Sequence, residues 1–265
     1  MLNVGAIEAM ARLGFAARGL MYMAVGYMAL ELGRATGNTG ALSFLESAGG
    51  GLLLGVMAVG FFGYGLWRLA DAFLDSSGKG TDAQGIAKRA GGAVSGLIHL
   101  ALAFVSIKLA FGSPSSGGSG GSSGAETGAS TALSLPFGGV LLTIAALLLF
   151  AVGAYQLIKA IKLGFLKHLE PEACRYTWVH WLGRAGFLAR GIVFVTSAIF
   201  LWRAAEQARA SAAGGTEQVL ESLPDWLRFL VAAGLFLFGV FSLVEARYRR
   251  INDPDVISRL RAMAG

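Results

Sequence analysis

Charge is scarce in this sequence: 22 Lys and Arg and 16 Asp and Glu in 265 residues make 14%, against 55% hydrophobic residues and a mean hydropathy of +0.61. A soluble globule of this size needs about a quarter of its residues charged to cover its surface, so that class is excluded and an integral membrane protein is expected. Cysteine occurs once, as Cys174, which excludes an internal disulfide framework and leaves no thiol pair for a zinc site. Proline occurs five times, always between or at the edges of apolar runs, so no span is expected to carry a proline kink. No nucleotide loop, metal box or nucleophile–base constellation accompanies the three histidines, and no catalytic residue, metal site or cofactor is assigned. The net charge of +6 and pI near 9.7 come from basic residues at the ends of apolar runs. They form no basic face, which argues for topology and against a nucleic-acid partner.

What the chain does have is a repeat. RLGFAARG at 12–19 returns as RAGGAVSG at 89–96 and as RAGFLARG at 184–191, each opening a long apolar run that a second run follows. Apolar runs lie at 13–32, 52–74, 91–111, 137–163, 185–202 and 227–244. A run of about 20 residues at 1.5 Å per residue spans a hydrocarbon core of about 30 Å, so six transmembrane helices are expected. The reading is all-α: three tandem helical hairpins at 12–75, 89–163 and 184–248 in one membrane domain, 1–265. Each hairpin holds an even number of spans, so the copies enter the membrane in the same sense and can surround a pseudo-threefold axis; an open row is the alternative.

Lys and Arg crowd the ends on the side of the N-terminus, which by the positive-inside bias makes both termini cytoplasmic. On the opposite side, 39–47, 130–138 and 215–224 resemble one another and each suggests a short amphipathic turn. The Ser/Gly-rich stretch 113–128 reads as a flexible external loop, and 251–265 as a cytoplasmic tail resting on the anionic leaflet. Glycine spacing at Gly51 and Gly55, and at Gly92 and Gly96, allows close helix approach.

The even spans align as GLWRLADA (65–72), GAYQLIKA (153–160) and GVFSLVEA (239–246), which makes Asp71, Lys159 and Glu245 equivalent. In the odd spans Arg18, Ser95 and Arg190 are equivalent. A carboxylate in the even span accompanies an arginine in the odd span, so ion pairs Arg18 to Asp71 and Arg190 to Glu245 are expected within hairpins. Arg68 can also hold Asp71 from the same helix at i,i+3, and Lys159 can snorkel or approach a carboxylate of another copy. His99 stands where the other copies have Tyr22 and Phe194; it is a packing histidine or, as a weak candidate, a cofactor ligand. His168, Cys174 and His180 share one loop without a fourth ligand at zinc spacing and receive no role.

The R-x-G-x-x-x-R-G opening of the odd spans, the outer G-A-L-x-x-L-like turn and the small-aromatic close of the even spans resemble the bacterial membrane family known as domain of unknown function 1206. Its module is a pair of transmembrane helices, typically present three times. The middle copy departs most, with Ser95 and Lys159. The resemblance implies a bacterial inner-membrane protein and brings no activity. The leading expectation is a non-catalytic scaffold or accessory subunit, whose partners are the bilayer and other membrane subunits. A small-solute transporter or channel, and a redox or pigment protein using His99, are the alternatives.

The orientation is testable with single cysteines at Ser77 and Ser119 in a background lacking Cys174. An impermeant thiol reagent on intact cells is expected to label position 119 and not position 77; the reverse pattern overturns it.

Overall fold

The computed structural model describes residues 4–75, 80–112 and 124–250. The tail 251–265 and residues 113–123 of the Ser/Gly stretch lie outside them. Nine α-helices occur among the described residues: α1 Val4–Glu31, α2 Asn38–Leu74, α3 Ala83–Ala110, α4 Gly124–Leu133, α5 Gly138–Ile161, α6 Pro171–Cys174, α7 Thr177–Glu206, α8 Thr216–Ser222 and α9 Asp225–Tyr248. Six of them, α1, α2, α3, α5, α7 and α9, are long and apolar enough to cross a membrane. This is a polytopic all-α membrane protein.

The outer turns of the three copies are helical. In copy 1 the turn is the first third of α2, set off by a bend at Gly50, whose φ of 67° and ψ of −176° only glycine adopts comfortably. In copy 3 it is α8. In copy 2 it is α4, which begins at Gly124, so residues 124–128 are helix and not the loop expected from composition. The reason is burial: Ala129 packs with Leu142 of α5, Ala204 of α7 and Ala213, and Glu126 lies in the first turn, where a negative charge suits the helix N-terminus.

Around the bundle the spans are ordered α3, α2, α1, α9, α7, α5. Three of these neighbours join one copy to the next: α2 with α3, α5 with α7, and α9 with α1. All three cross at the same pair of glycines. A Cβ at Gly19 would lie 2.9 Å from the Gly239 carbonyl oxygen, and one at Gly239 2.6 Å from that of Gly19. Gly65 and Gly96 oppose each other in the same way, at 3.0 and 2.9 Å, and a Cβ at Gly191 would lie 3.2 Å from the Gly153 oxygen. Within lipid there is little hydrophobic drive between helices, so close backbone approach supplies the dispersion contacts that hold them. The copies therefore follow one another cyclically, 1 to 2 to 3 to 1.

The packing inside each hairpin is not equivalent. In copies 1 and 3 it uses further glycines: Gly14 against the Gly60 backbone, and Gly234 against the Ala185 backbone. In copy 2 Gly91 has nothing within 4 Å of a would-be Cβ, and α3 and α5 share no extended interface among the described residues. The substitutions explain it. Leu148 stands where Gly60 and Gly234 stand, and Val94 stands where Ala17 and Ala189 stand, so the small residues that admit a neighbouring backbone are replaced by bulk. Ala17 and Ala189 are 2% and 3% exposed, whereas Val94 and Leu148 are 56% and 62% exposed. The ring of six is thus open along one seam, between the two spans of the middle copy.

Gly239→Val is expected to lower thermal stability in detergent by about 1–3 kcal/mol through overpacking. Gly55→Ala, where nothing lies within 4 Å, is expected to be neutral or stabilising by up to about 1 kcal/mol. Equal effects at the two positions would contradict the crossing.

Candidate functional site: a cationic cluster at the end bearing the termini

Two registers of the repeated motif build this end of the bundle. The first is its opening arginine, which caps the even span of the preceding copy. Arg12 Nη1 donates to the carbonyls of Ala246 at 2.9 Å and Arg247 at 2.5 Å, and Arg89 donates through Nε to Ala72 at 2.7 Å and through Nη2 to Phe73 at 2.9 Å. The last carbonyls of a helix lack intrahelical donors and carry the negative end of its dipole, so a guanidinium satisfies both needs. Arg184, the third of these arginines, lies 5.6 Å from the Trp181 ring, and its buried Nε has no acceptor among the described residues. It lines an apolar groove of about 430 Å³ with Ala160, Ile161, Trp181, Ala185 and Leu188.

The second register is Arg18 with its equivalents. Arg18 forms a salt bridge with Glu245, and its Nε donates to Ser242 Oγ at 3.3 Å. Ser242 in turn donates to the Phe238 carbonyl at 3.0 Å. Arg249 holds the other oxygen of Glu245 from one turn further along α9. The guanidinium of Arg18 also lies 4.8 Å from the Phe15 ring centroid and 5.3 Å from that of Phe238. The expected partner, Asp71 of the same hairpin, is thus replaced by Glu245 of another. The cause is the glycine crossing: Arg18 adjoins Gly19, which faces α9, so its side chain runs along α9 toward Glu245. Asp71 is buried on α2.

Arg190 forms no ion pair with Glu245 among the described residues. Its own crossing, Gly191 with Gly153, is with α5, where Lys159 occupies the acid's place, yet its guanidinium lies on the side of α9 and α1. The guanidinium stacks instead among Phe238 at 4.5 Å, Phe194 at 4.9 Å and Tyr22 at 5.3 Å, and its buried Nε has no acceptor among the described residues. Lys159 Nζ lies 4.3 Å from the Phe187 ring centroid. A desolvated ring contact is worth about 2 kcal/mol, and unlike a carboxylate it offers the guanidinium N–H groups no strong acceptor. Arg68 lies 5.7 Å from both the Tyr64 and the Trp67 rings, again with a buried Nε lacking an acceptor among the described residues.

His99 is buried beside this cluster. Its Nδ1–H donates to the Ser95 carbonyl at 2.7 Å, since a carbonyl only accepts, and its ring packs 4.5 Å from Tyr64 and 6.0 Å from Phe61. The loop between α5 and α7 covers the end of copy 3: Phe165 stacks on Phe187 at 5.3 Å, and the loop is stitched to α9 by Glu170 N–H to the Tyr248 carbonyl at 2.8 Å and Arg250 N–H to the His168 carbonyl at 3.0 Å. His168 on that loop is held down at about 4 by desolvation, then by the positive charges of Arg249 and Lys159. His180, in the first turn of α7, donates through Nε2 to the Cys174 carbonyl at 2.8 Å, and Cys174 Sγ donates to the Leu166 carbonyl at 3.5 Å.

Arg249 and Ser242 had not been singled out from the sequence. The i,i+4 spacing of Glu245 and Arg249 was a readable signal for the first; the second depends on which helices cross and left none.

A six-span membrane protein made of three cyclically packed hairpins is the class that this geometry defines. The chain belongs to the family described as Domain of Unknown Function (DUF1206), whose profile matches residues 13–75, 90–162 and 185–249. It is 28% identical over 261 residues, 93% of this chain and 92% of the relative, to "Uncharacterized protein YxxB" of Bacillus subtilis (strain 168). No solved structure matches it significantly.

The pairing is open to a double-mutant cycle in thermal or denaturant unfolding. Arg18→Ser and Glu245→Gln are each expected to cost about 3–5 kcal/mol, with the double change milder than their sum by at least about 1 kcal/mol. Arg190→Ser with Glu245→Gln is expected to be additive within about 0.5 kcal/mol. Coupling in the second cycle and additivity in the first would restore the pairing within hairpins.

Proposed function

We propose that this chain is a non-catalytic subunit of the bacterial inner membrane, with both termini cytoplasmic, that acts as a scaffold within a larger membrane assembly. The observation that carries the proposal is the seam of the middle copy. Val94 and Ile98 on α3, and Leu148 and Val152 on α5, are exposed at positions that the other two copies bury. Bulk at 94 and 148 holds α3 and α5 apart, so no closure within the chain buries these faces. The occupant that fits is a transmembrane helix of a partner subunit, about 10 Å across with its side chains, which would complete the ring. Lipid alone in the seam is the competing outcome.

Transport is the second reading, favoured by the cationic cluster and the cyclic order of the copies. It is weaker because Leu54, Met57, Phe61 and Leu235 fill the neighbouring core and are almost wholly shielded from solvent. A redox or pigment role for His99 has one ring nitrogen already committed to Ser95.

Extraction of the native protein in mild detergent is expected to give a particle that is heavier than the 27.5 kDa chain and contains a second polypeptide. Val94→Trp and Leu148→Trp should release the chain from it, while Val59→Trp, on an exposed face of α2, should not. A single chain with no partner, unchanged by the seam substitutions, would rule the scaffold reading out.

A further inference from the structure

The opening arginine of the repeat has the same task at two crossings between copies and not at the third. Arg12 donates to the carbonyls of Ala246 and Arg247, and Arg89 to those of the equivalent Ala72 and Phe73. For Arg184 the equivalent residues are Ala160 and Ile161, and no such bond forms among the described residues. In place of the contact lies the groove of about 430 Å³, which Arg184, Ala160 and Ile161 line together with Trp181, Ala185 and Leu188. Trp181 stands where the other copies have Ala9 and Ile86, and the Arg184 guanidinium lies 5.6 Å from its ring. The groove opens on the outside of the bundle, since Ile161, Trp181 and Leu188 are exposed, and its walls are almost wholly apolar. Arg184 therefore lines it chiefly with its stem, as long basic side chains do at a membrane interface, and its charged head stands by Trp181. No carboxylate lies at ion-pair distance from that head among the described residues.

We propose that this groove binds an anionic phospholipid from the leaflet at the end bearing the termini, its phosphate on the Arg184 guanidinium and one acyl chain between α5 and α7. The phosphate oxygens take the acceptor role that the helix-end carbonyls have at the other two crossings, and the planar fork of arginine matches two of them. A soluble oxyanion would gain nothing from the apolar walls, and a neutral apolar ligand would leave the guanidinium without a counter-charge; an amphipath answers both. Trp178 and Trp181 are exposed on the first turns of α7 and suit the headgroup level. The stretch 162–184 carries Lys162, Lys167, Arg175 and Arg184 against Glu170 and Glu172, which favours a headgroup with net negative charge. The proposal is independent of any partner in the seam between α3 and α5.

The test uses the purified full chain in detergent, with its melting temperature followed against dihexanoyl phosphatidylglycerol, dihexanoyl phosphatidylcholine and inorganic phosphate, the ionic strength held constant with chloride. A ligand that binds only the folded state raises the melting temperature saturably. A rise of several degrees is expected with the phosphatidylglycerol, a smaller one with the phosphatidylcholine and none with inorganic phosphate. Arg184→Gln is expected to remove the difference between the two lipids. Leu188→Trp, which fills the groove and keeps the arginine, is expected to remove the rise with both, whereas Phe104→Trp, on an exposed face of α3, should respond as the wild type does. If Arg184→Gln does not fold, Leu188→Trp, a change at an exposed position, decides. A rise no larger with phosphatidylglycerol than with phosphatidylcholine, an equal rise with inorganic phosphate, or a Leu188→Trp protein that responds as the wild type does overturns the site.

Discussion

Where Gly19 meets Gly239, helix backbones touch at a distance that no side chain permits, and Gly65 with Gly96 and Gly153 with Gly191 repeat the contact. Much of the rest follows from this constraint. It makes the end of one copy the neighbour of the start of the next, and so closes copy 3 onto copy 1. It brings Arg12 and Arg89 to the carboxyl ends of the preceding even spans, where their guanidinium groups find carbonyls. It also sets Arg18 beside α9, where its side chain meets Glu245. Charge and capping in this bundle depend on a packing contact that contains no charge at all.

Against that shared frame, the middle copy departs in two independent ways. Leu148 and Val94 replace the small residues that would let α3 and α5 meet, and Lys159 replaces the acid that would neutralise Arg190. The first departure exposes apolar surface to the bilayer, which alone carries little penalty since lipid is as apolar as the side chains themselves. The second leaves buried donors without acceptors, which lipid tails cannot correct. The seam is therefore tolerable empty, whereas the crossing of α5 with α7 is not equally so. Both departures lie on α5 or its neighbours, and the first carries the proposed scaffold role.

The sequence made the six spans and their threefold repetition legible, because apolar run length and the recurring R-x-G-x-x-x-R-G need no tertiary information. It also flagged Arg18, Asp71, Lys159, Arg190 and Glu245 as charges needing an account. What it withheld was which carboxylate belongs to which arginine. In a ring each odd span has two even neighbours, and periodicity cannot say which one a given face meets. The hairpin was the natural assumption, and the glycine next to Arg18 pointed the other way. The helix at 124–128 was hidden for a different reason: it directly follows a stretch that Gly and Ser dominate, and the burial of Ala129 against α7 overrides the weak helix preference of its own two glycines.

The most direct measurement is oxidative cross-linking of equivalent cysteine pairs in native membranes, in a chain lacking Cys174. A Cβ at Gly234 would touch that of Ala189, so Ala189→Cys with Gly234→Cys sits within reach of a disulfide after a small adjustment. Val94→Cys with Leu148→Cys is the same pair in the middle copy. Loss of both thiols to maleimide on mild oxidation is predicted for the first pair and not for the second. Rapid closure of the 94–148 pair would mean that the middle hairpin is packed like its sisters, and the open seam would have to be abandoned.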